Sequence, residues 1–310
     1  MNEAMNPHPT VSVIIPAYNT AGYIDRCLDS VLGQSLRDIE VIVVDSASHD
    51  GTPARVAAEF PLVKLIACSE NVGYSRGNNL GFAQARGDYW FVLNPDTVLE
   101  ADALEALCAQ LDAHADIGCV GPALTYGDGT PQSSRRRFPT LSMAILETAW
   151  LRRFAPRGLL ERYQGDDWAK DRAVDVDWLV GAALLLRADA VRKVGGFDEG
   201  YFMYSEELDL CRRLKAAGWR IVHEPAAHIT HYEARSSGQA RRATHLRYNR
   251  SKIRYFNKHH GPWQAGVLRL ALQAAFAWQS VLEAGKWLLG HKRALRAQRV
   301  SDYLYVLVRL

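Results

Sequence analysis

Several familiar signatures are missing from this chain of 310 residues. No stretch is an uninterrupted run of the roughly 20 apolar residues that a bilayer crossing needs, so no transmembrane helix is expected. No signal peptide is read either: the N-terminus is polar and contains proline, and Val11–Ile15 is too short for a signal core. The five cysteines, Cys27, Cys68, Cys108, Cys119 and Cys211, are odd in number and lack metal-ligand spacing. Most sit inside apolar runs, which fits reduced, buried thiols in a cytoplasmic protein. There is no internal repeat and no low-complexity segment. G-x-G-x-x-G is also absent. The first strand–helix turn is Pro-Ala-Tyr-Asn-Thr-Ala-Gly (16–22), which gives a pyrophosphate no close approach to the backbone and a dinucleotide-binding reading little support.

What is present is 48% hydrophobic and 23% charged, ordinary for a soluble protein with a substantial core. Val11–Ile15, Val41–Val44, Val63–Ala67 and Tyr89–Leu93 are short continuous apolar runs, the mark of strands buried on both faces. Helical patterns lie between them: Ile24, Leu28, Val31 and Leu32 before Gly33, then Ala54–Ala58, then Tyr74–Ala85. This alternation, to about residue 115, predicts an α/β fold with a mostly parallel sheet and helices on both faces. Residues 127–175 read as loop-rich, with Gly127-Asp-Gly129, Arg135-Arg136-Arg137, Trp150, Tyr163 and Trp168, either a flap over a site or irregular surface. Trp178–Leu186 reads as a strand broken at Gly181, followed by helices at Asp189–Val194 and about Glu206–Ala217.

Acids stand where elements end, and open α/β sheets bind ligands beyond the carboxyl ends of their strands. Asp96 follows Asn94-Pro95, where proline stops the central strand. It suits a divalent cation and a turn equally well. Asp45 would accept from a base N–H or a ribose hydroxyl, or close an Asx turn with Ser48. Glu206, Glu207 and Asp209 are either proton acceptors or the acids that any helix N-terminus favours. Without a glycine-rich cradle, a bound diphosphate would need a cation, which gives Asp96 a task. The triple arginine at 135–137 would meet a diphosphate or an anionic acceptor, with a solvated loop the plainer expectation. His49, His114, His259 and His260 read as surface.

At this point the residues resemble a known family. Val-Ser-Val-Ile-Ile-Pro-Ala-Tyr-Asn (11–19), Val-Val-Asp-Ser-Ala-Ser-His-Asp-Gly (43–51), Asn-Val-Gly-Tyr-Ser-Arg-Gly-Asn-Asn-Leu-Gly (71–81), Leu-Asn-Pro-Asp (93–96), Gly-Gly-Phe-Asp-Glu (195–199) and Tyr-Ser-Glu-Glu-Leu-Asp-Leu (204–210) are similar, in order, to motifs of the inverting family 2 glycosyltransferases, nearest the rhamnosyltransferase-like branch. The resemblance covers about residues 10–235. It implies a GT-A nucleotide-sugar fold, a Mg2+ or Mn2+ cofactor and an inverting transfer. Asp45 matches the acid that reads the pyrimidine, with Pro16, Ala17 and Tyr18 lining that pocket. Asn94-Pro95-Asp96 stands in place of Asp-x-Asp, so Asp96 matches the metal carboxylate, and His231 matches a late histidine that ligates metal in some members. Glu206-Glu207 stands where Glu-Asp carries the base. Glu207 matches the base position, with Asp209 as a substitute. Arg76 and Asn78 would touch base or phosphates, or only hold their turn. Trp178 and Gly181 match a segment near donor sugar and acceptor, with Trp178 as plain core the alternative.

The expected organisation is a disordered start (1–10), a catalytic domain (11–240) and a basic amphipathic helical tail (241–310). The tail carries fourteen Lys and Arg against Glu283 and Asp302, a net of +12 inside a chain of net +3. Within it, Arg269, Gln273, Ser280 and Glu283 are expected to form one polar face on Val267–Leu289. The expected reaction moves one sugar, rhamnose from dTDP-rhamnose, to a glycan or polyprenyl-linked acceptor in bacterial surface-polysaccharide synthesis. The Gln-x-x-Arg-Trp motif of processive synthases is absent. The alternatives are a UDP-hexose or UDP-galactofuranose transferase, and a non-catalytic binder of sugar nucleotide or nucleic acid. The basic tail lacks interleaved aromatic platforms, so no nucleic-acid partner is expected. An anionic membrane surface is, with a second copy of the chain as the other candidate. The expected location is cytoplasmic, peripheral on the inner face of the cell membrane.

Overall fold

The computed structural model describes residues 8–147, 151–233 and 241–310. The expected disorder of the start falls mainly on residues 1–7, outside them, as does Trp150; Thr10 is already tied by its N–H to Asp38. Contacts divide the chain into two compact units. The first is Met1–Phe138, Gln164–Phe202 and Glu206–Ala234; the second is Pro139–Tyr163, Met203–Ser205 and Arg235–Leu310.

The first unit begins β1 (Val11–Ala17), α1 (Ile24–Leu32), β2 (Ile39–Asp45), α2 (Thr52–Glu59), β3 (Lys64–Ala67), α3 (Gly73–Phe82) and β4 (Tyr89–Leu93). All residues of β1 and β4 are buried, as two covered faces require. Then come β5 (Thr97–Leu99), α4 (Ala103–Ala113), β6 (Ile117–Thr125), β7 (Pro131–Gln132) and β8 (Arg135–Arg136). The second unit holds α5 (Leu141–Leu146) and most of α6 (Arg157–Gln164). The chain then gives the first unit β9 (Val174–Asp175), β10 (Trp178–Leu179), β11 (Ala183–Arg187), α7 (Ala188–Val194), α8 (Glu206–Ala216) and β12 (Arg220–His231).

Eight strands follow the order β3-β2-β1-β4-β11-β6-β12-β5, with β7 beside β6 and β9 beside β12. The pairs β2–β3, β1–β2, β1–β4 and β6–β12 are parallel. Strand β11 runs against both neighbours, β4 and β6. The run expected at Trp178–Leu186 is therefore two strands: β10 pairs with β8 in a separate two-stranded sheet, and only β11 enters the large one. The reversal of β11 brings its start, after Gly181, to the edge where β1, β2 and β4 finish; Ala183 stands opposite Leu93. β6 and β12 end there too. One edge of the sheet thus collects Asp45, Asn94, Asp96, Gly181 and His231.

Helix α3 lies close on β1 because Gly81 has no side chain; a Cβ there would collide with Ile14. This close approach aims the N-terminal turn of α3 at the same sheet edge. On the far side, the Arg213 side chain of α8 donates to the carbonyls of Val194 and Gly196, both at 2.7 Å, satisfying the exposed end of α7.

The second unit is built on α9 (Arg241–Leu288), interrupted at Gly261, and α10 (Arg293–Arg309). Arg250 donates to the Arg309 carbonyl at 2.8 Å. Two expectations are corrected here, and one cation of the tail proves to be buried. Ser280 and Glu283 are buried rather than solvent-facing. Lys252 turns inward to the Ala144 carbonyl at 3.2 Å. His259 and His260 pack on the rings of Tyr255 and Phe256 instead of lying free on the surface.

Candidate active site

Asp96 sits in the turn between β4 and β5, fixed by its carbonyl accepting from the Tyr232 N–H at 2.9 Å. Its carboxylate lies 3.3 Å from His231 Nε2. Gln132 Oε1 accepts from His231 Nδ1 at 3.0 Å, and Gln132 itself donates to Glu233 at 2.8 Å. With Nδ1 committed to an amide oxygen, Nε2 faces the carboxylate, and Asn94 Nδ2 stands 3.5 Å away. A carboxylate and an imidazole nitrogen aimed at one point need a cation or a proton between them. Among the described residues no group of three or more His, Cys, Asp or Glu comes together, so this pair could supply only part of a metal's coordination. A ligand's phosphates would complete it.

Glu206 and Glu207 open α8. Glu206 is buried, and burial, reinforced by the neighbouring Glu207, pushes its carboxyl well above the usual range. Burial also raises Glu207, opposed by backbone N–H groups, including that of Gly181, and by the Arg136 charge. One oxygen of each carboxyl, Oε2, has no hydrogen-bond partner among the described residues. Any side chain at Gly181 would fall 3.4 Å from Glu207 Cβ and the Tyr74 hydroxyl. Tyr74 donates to the Gly181 carbonyl at 2.6 Å. Burial drives its own hydroxyl well above its usual range, with Glu206, Glu207 and Asp96 adding to the effect. One phenol is therefore within electrostatic reach of both the acids of α8 and the acid after β4.

Asp45 is buried at the end of β2. Its Oδ2 accepts from the Ser48 N–H at 3.0 Å, the Asx turn weighed from sequence, while Oδ1 has no partner among the described residues. Pro16 and Ala17 are buried beside it, paired with Val44 and Asp45, and Tyr18 is exposed. Asn78 holds the Tyr74 carbonyl at 3.0 Å and leaves Oδ1 without a partner among the described residues. Arg76 is exposed, 3.7 Å from Glu70.

Trp178 is buried and donates to the Arg137 carbonyl at 2.8 Å, while Arg136 lies over its ring. The triple arginine is not a solvated loop. Arg135 is buried against the carbonyls of Ala169 and Trp168, and Arg137 binds both oxygens of Asp167 at 2.7 and 2.8 Å. Asp209 does not join the pocket acids in kind. It is wholly buried, with Oδ2 2.7 Å from Arg213 Nε, and so works as the anchor of the arginine that caps α7. Asp209→Ala should destabilise the fold by about 3 kcal/mol, since it strands a buried charge. Turnover per folded molecule should hardly change. A thermal melt beside an active-site-titrated assay checks both halves.

Sequence reasoning passed over three contributors. Tyr74 was visible only as a helix start, inside the motif of residues 71–81. Arg136 was weighed as an anion binder, not as a charge beside Glu207. Gln132 belongs to a two-residue strand with no sequence signal at all; only the β6–β7 hairpin brings it to His231.

Residues 12–167 match the family model for glycosyl transferase family 2, and residues 91–289 that for glycosyl transferase family group 2. The N-acetylglucosaminyl-diphospho-decaprenol L-rhamnosyltransferase of Mycobacterium tuberculosis H37Rv is 32% identical over 282 residues, covering 87% of this chain and 91% of that protein. The rhamnosyltransferase WbbL of Escherichia coli K12 is 30% identical over 170 residues, 52% of this chain and 61% of that protein. Among solved structures, the Pyrobaculum calidifontis mannosyltransferase PcManGT in complex with GDP-Man and Mn2+ superposes with a TM-score of 0.55 at 20% identity, covering 99% of this chain and 88% of that one.

Proposed function

This chain belongs to glycosyl transferase family 2, and from that premise we propose that it transfers one L-rhamnose from dTDP-rhamnose to a lipid-linked glycan acceptor by a single inverting displacement. The observation that carries the reading is Glu207: its carboxyl is biased by burial toward holding a proton, one of its oxygens lacks a partner among the described residues, and it shares the field of Tyr74 with Asp96. The acceptor oxygen bonds to the anomeric carbon as the bond to the donor phosphate breaks. The electron pair leaves with the nucleoside diphosphate, and the acceptor proton passes to Glu207. One displacement inverts the centre. Backbone N–H groups, that of Gly181 among them, and then the Arg136 charge oppose the rise and favour the ionised form a base needs.

Asp96 and His231 fit a hard divalent cation, Mg2+ or Mn2+, with Gln132 fixing which imidazole nitrogen is offered. Such an ion would neutralise charge on the departing diphosphate. Asp45 Oδ1 is the acceptor for a pyrimidine N–H, and Asn78 Oδ1 on α3 is another acceptor without a partner among the described residues. Glu206 supports the pocket by keeping a second ionisable carboxyl beside Glu207.

The lipid-linked acceptor is supported by the Mycobacterium tuberculosis relative, whose name specifies a decaprenyl diphosphate carrier. The test is a donor screen on the purified protein with Mg2+ or Mn2+ and a polyprenyl-diphospho-N-acetylglucosamine analogue. Turnover should be highest with dTDP-rhamnose. Faster transfer from a UDP-hexose or UDP-galactofuranose would reassign the donor, and donor binding without any turnover would leave a sugar-nucleotide binder.

A further inference from the structure

The C-terminal hairpin carries apolar residues on its outer face as well as its inner one. Along residues 262–288 the inward residues include Leu268, Leu272, Ser280 and Glu283. The outward residues Trp263, Leu270, Trp278, Val281 and Leu288 are all exposed, Trp263 at 80% and Leu288 at 69%. They recur at intervals of seven, eight, three and seven residues, which keeps them on one face of a helix. At 1.5 Å per residue the strip is about 37 Å long. A soluble monomer rarely leaves so long an apolar strip uncovered.

The charges around it say what covers it. Of the two acids in residues 241–310, Glu283 is buried and bonded by Arg296 and by Lys286 at 3.2 Å, and Asp302 is only partly exposed. Within residues 262–293 the exposed charged side chains are all cations, Arg269, Lys286, Lys292 and Arg293. The same face of a second copy would bring like charges together. A bilayer of anionic lipid would pair with them, while indoles such as Trp263 and Trp278 settle at the headgroup level.

We propose that the strip from Trp263 to Leu288 docks flat on an anionic lipid bilayer surface. Only one face is apolar, and the opposite face is closed by α10, so the helix lies in the interface rather than crossing it. Each base near the surface adds about fivefold to partitioning. Docking would hold the protein on the surface where a lipid-linked acceptor lives, although the strip argues for a membrane whatever the acceptor.

The experiment is flotation of the full chain with phosphatidylcholine vesicles, with and without phosphatidylglycerol, at low and high salt. Binding should be at least about tenfold tighter with phosphatidylglycerol at low salt and should fall at high salt. The double variant Trp278→Glu, Val281→Glu should lose about tenfold or more of that binding, with its thermal melt and its donor hydrolysis in solution unchanged. Brominated lipid should quench tryptophan fluorescence in the wild type, a readout that needs no variant. Indifference of the full chain to anionic vesicles at low salt, wild-type flotation by the variant, or absent quenching would each overturn the proposal. So would a variant that only converts a dimer to monomers, which would hand the strip to a second copy. Donor hydrolysis read in the same samples separates failure of docking from failure of the catalytic reading.

Discussion

Glu207→Gln should lower transfer by at least about 100-fold, the low end of what a general base supplies, while donor binding stays near wild type. The amide keeps the length and shape of the side chain and removes only the ability to accept a proton. The backbone N–H of Gly181 and the Arg136 charge are left in place. The pH profile of the wild type provides a second check. Burial raises the Glu207 pKa, and a general base works when deprotonated, so on the proposed role kcat/KM should fall as pH drops through a value above the ordinary carboxylate range. Stability carries the opposite sign. A carboxyl whose folded pKa exceeds its unfolded pKa favours the fold when protonated, so stability is lost as pH rises from the unfolded value through the folded one. Glu206, raised more strongly, should dominate that slope. Steady-state kinetics, donor binding by calorimetry and a melt at several pH values separate these effects. Near-normal transfer by Glu207→Gln would remove the base assignment, and a large loss for Asp209→Asn alone would move it to Asp209.

Asp96→Ala should be as severe, about 100-fold or more, because a metal's charge on the leaving group contributes several kcal/mol to the transition state. The substitution removes the carboxylate 3.3 Å from His231 Nε2 but leaves the turn, which is held through the Asp96 carbonyl. The fold should survive. Mn2+ titration in the presence of nucleoside diphosphate should show weakened metal binding in the variant and an EDTA-sensitive wild type. Full activity of the wild type in EDTA would end the metal reading, whatever the variant does.

The first half of the chain was legible because its strands are buried on both faces and announce themselves as apolar runs. The strands at Val11, Ile39, Lys64 and Tyr89 and the helices between them fall where the pattern placed them. The second half hid its architecture for physical reasons. Strand β11 is antiparallel to both neighbours, and nothing in Ala183–Arg187 encodes direction. Strand β12 contains Pro225 and a register shift between Glu224 and His228, which breaks its pattern. The tail misled in another way. Glu283 looks like a solvated acid until Arg296, thirteen residues on, is seen to cover it. For the candidate site, the motif acids stand out in the sequence because chemistry limits which residues could serve. Their supports, Gln132 and Arg136, are ordinary polar residues that only the fold selects.

The buried Glu283–Arg296 pair also bears on how relatives of this chain should differ from one another. Losing Glu283 alone leaves the half-enclosed Arg296 without its acid and costs about 3 kcal/mol, whereas losing Arg296 leaves Glu283 with Lys286 at 3.2 Å and Arg299 at 3.6 Å and costs less. The dependence should therefore be one-sided: homologues that keep Arg296 should keep Glu283, while those that keep Glu283 should keep at least one base among positions 286, 296 and 299. The exposed strip on the opposite face obeys no such pairing, and its residues should drift one at a time within apolar types.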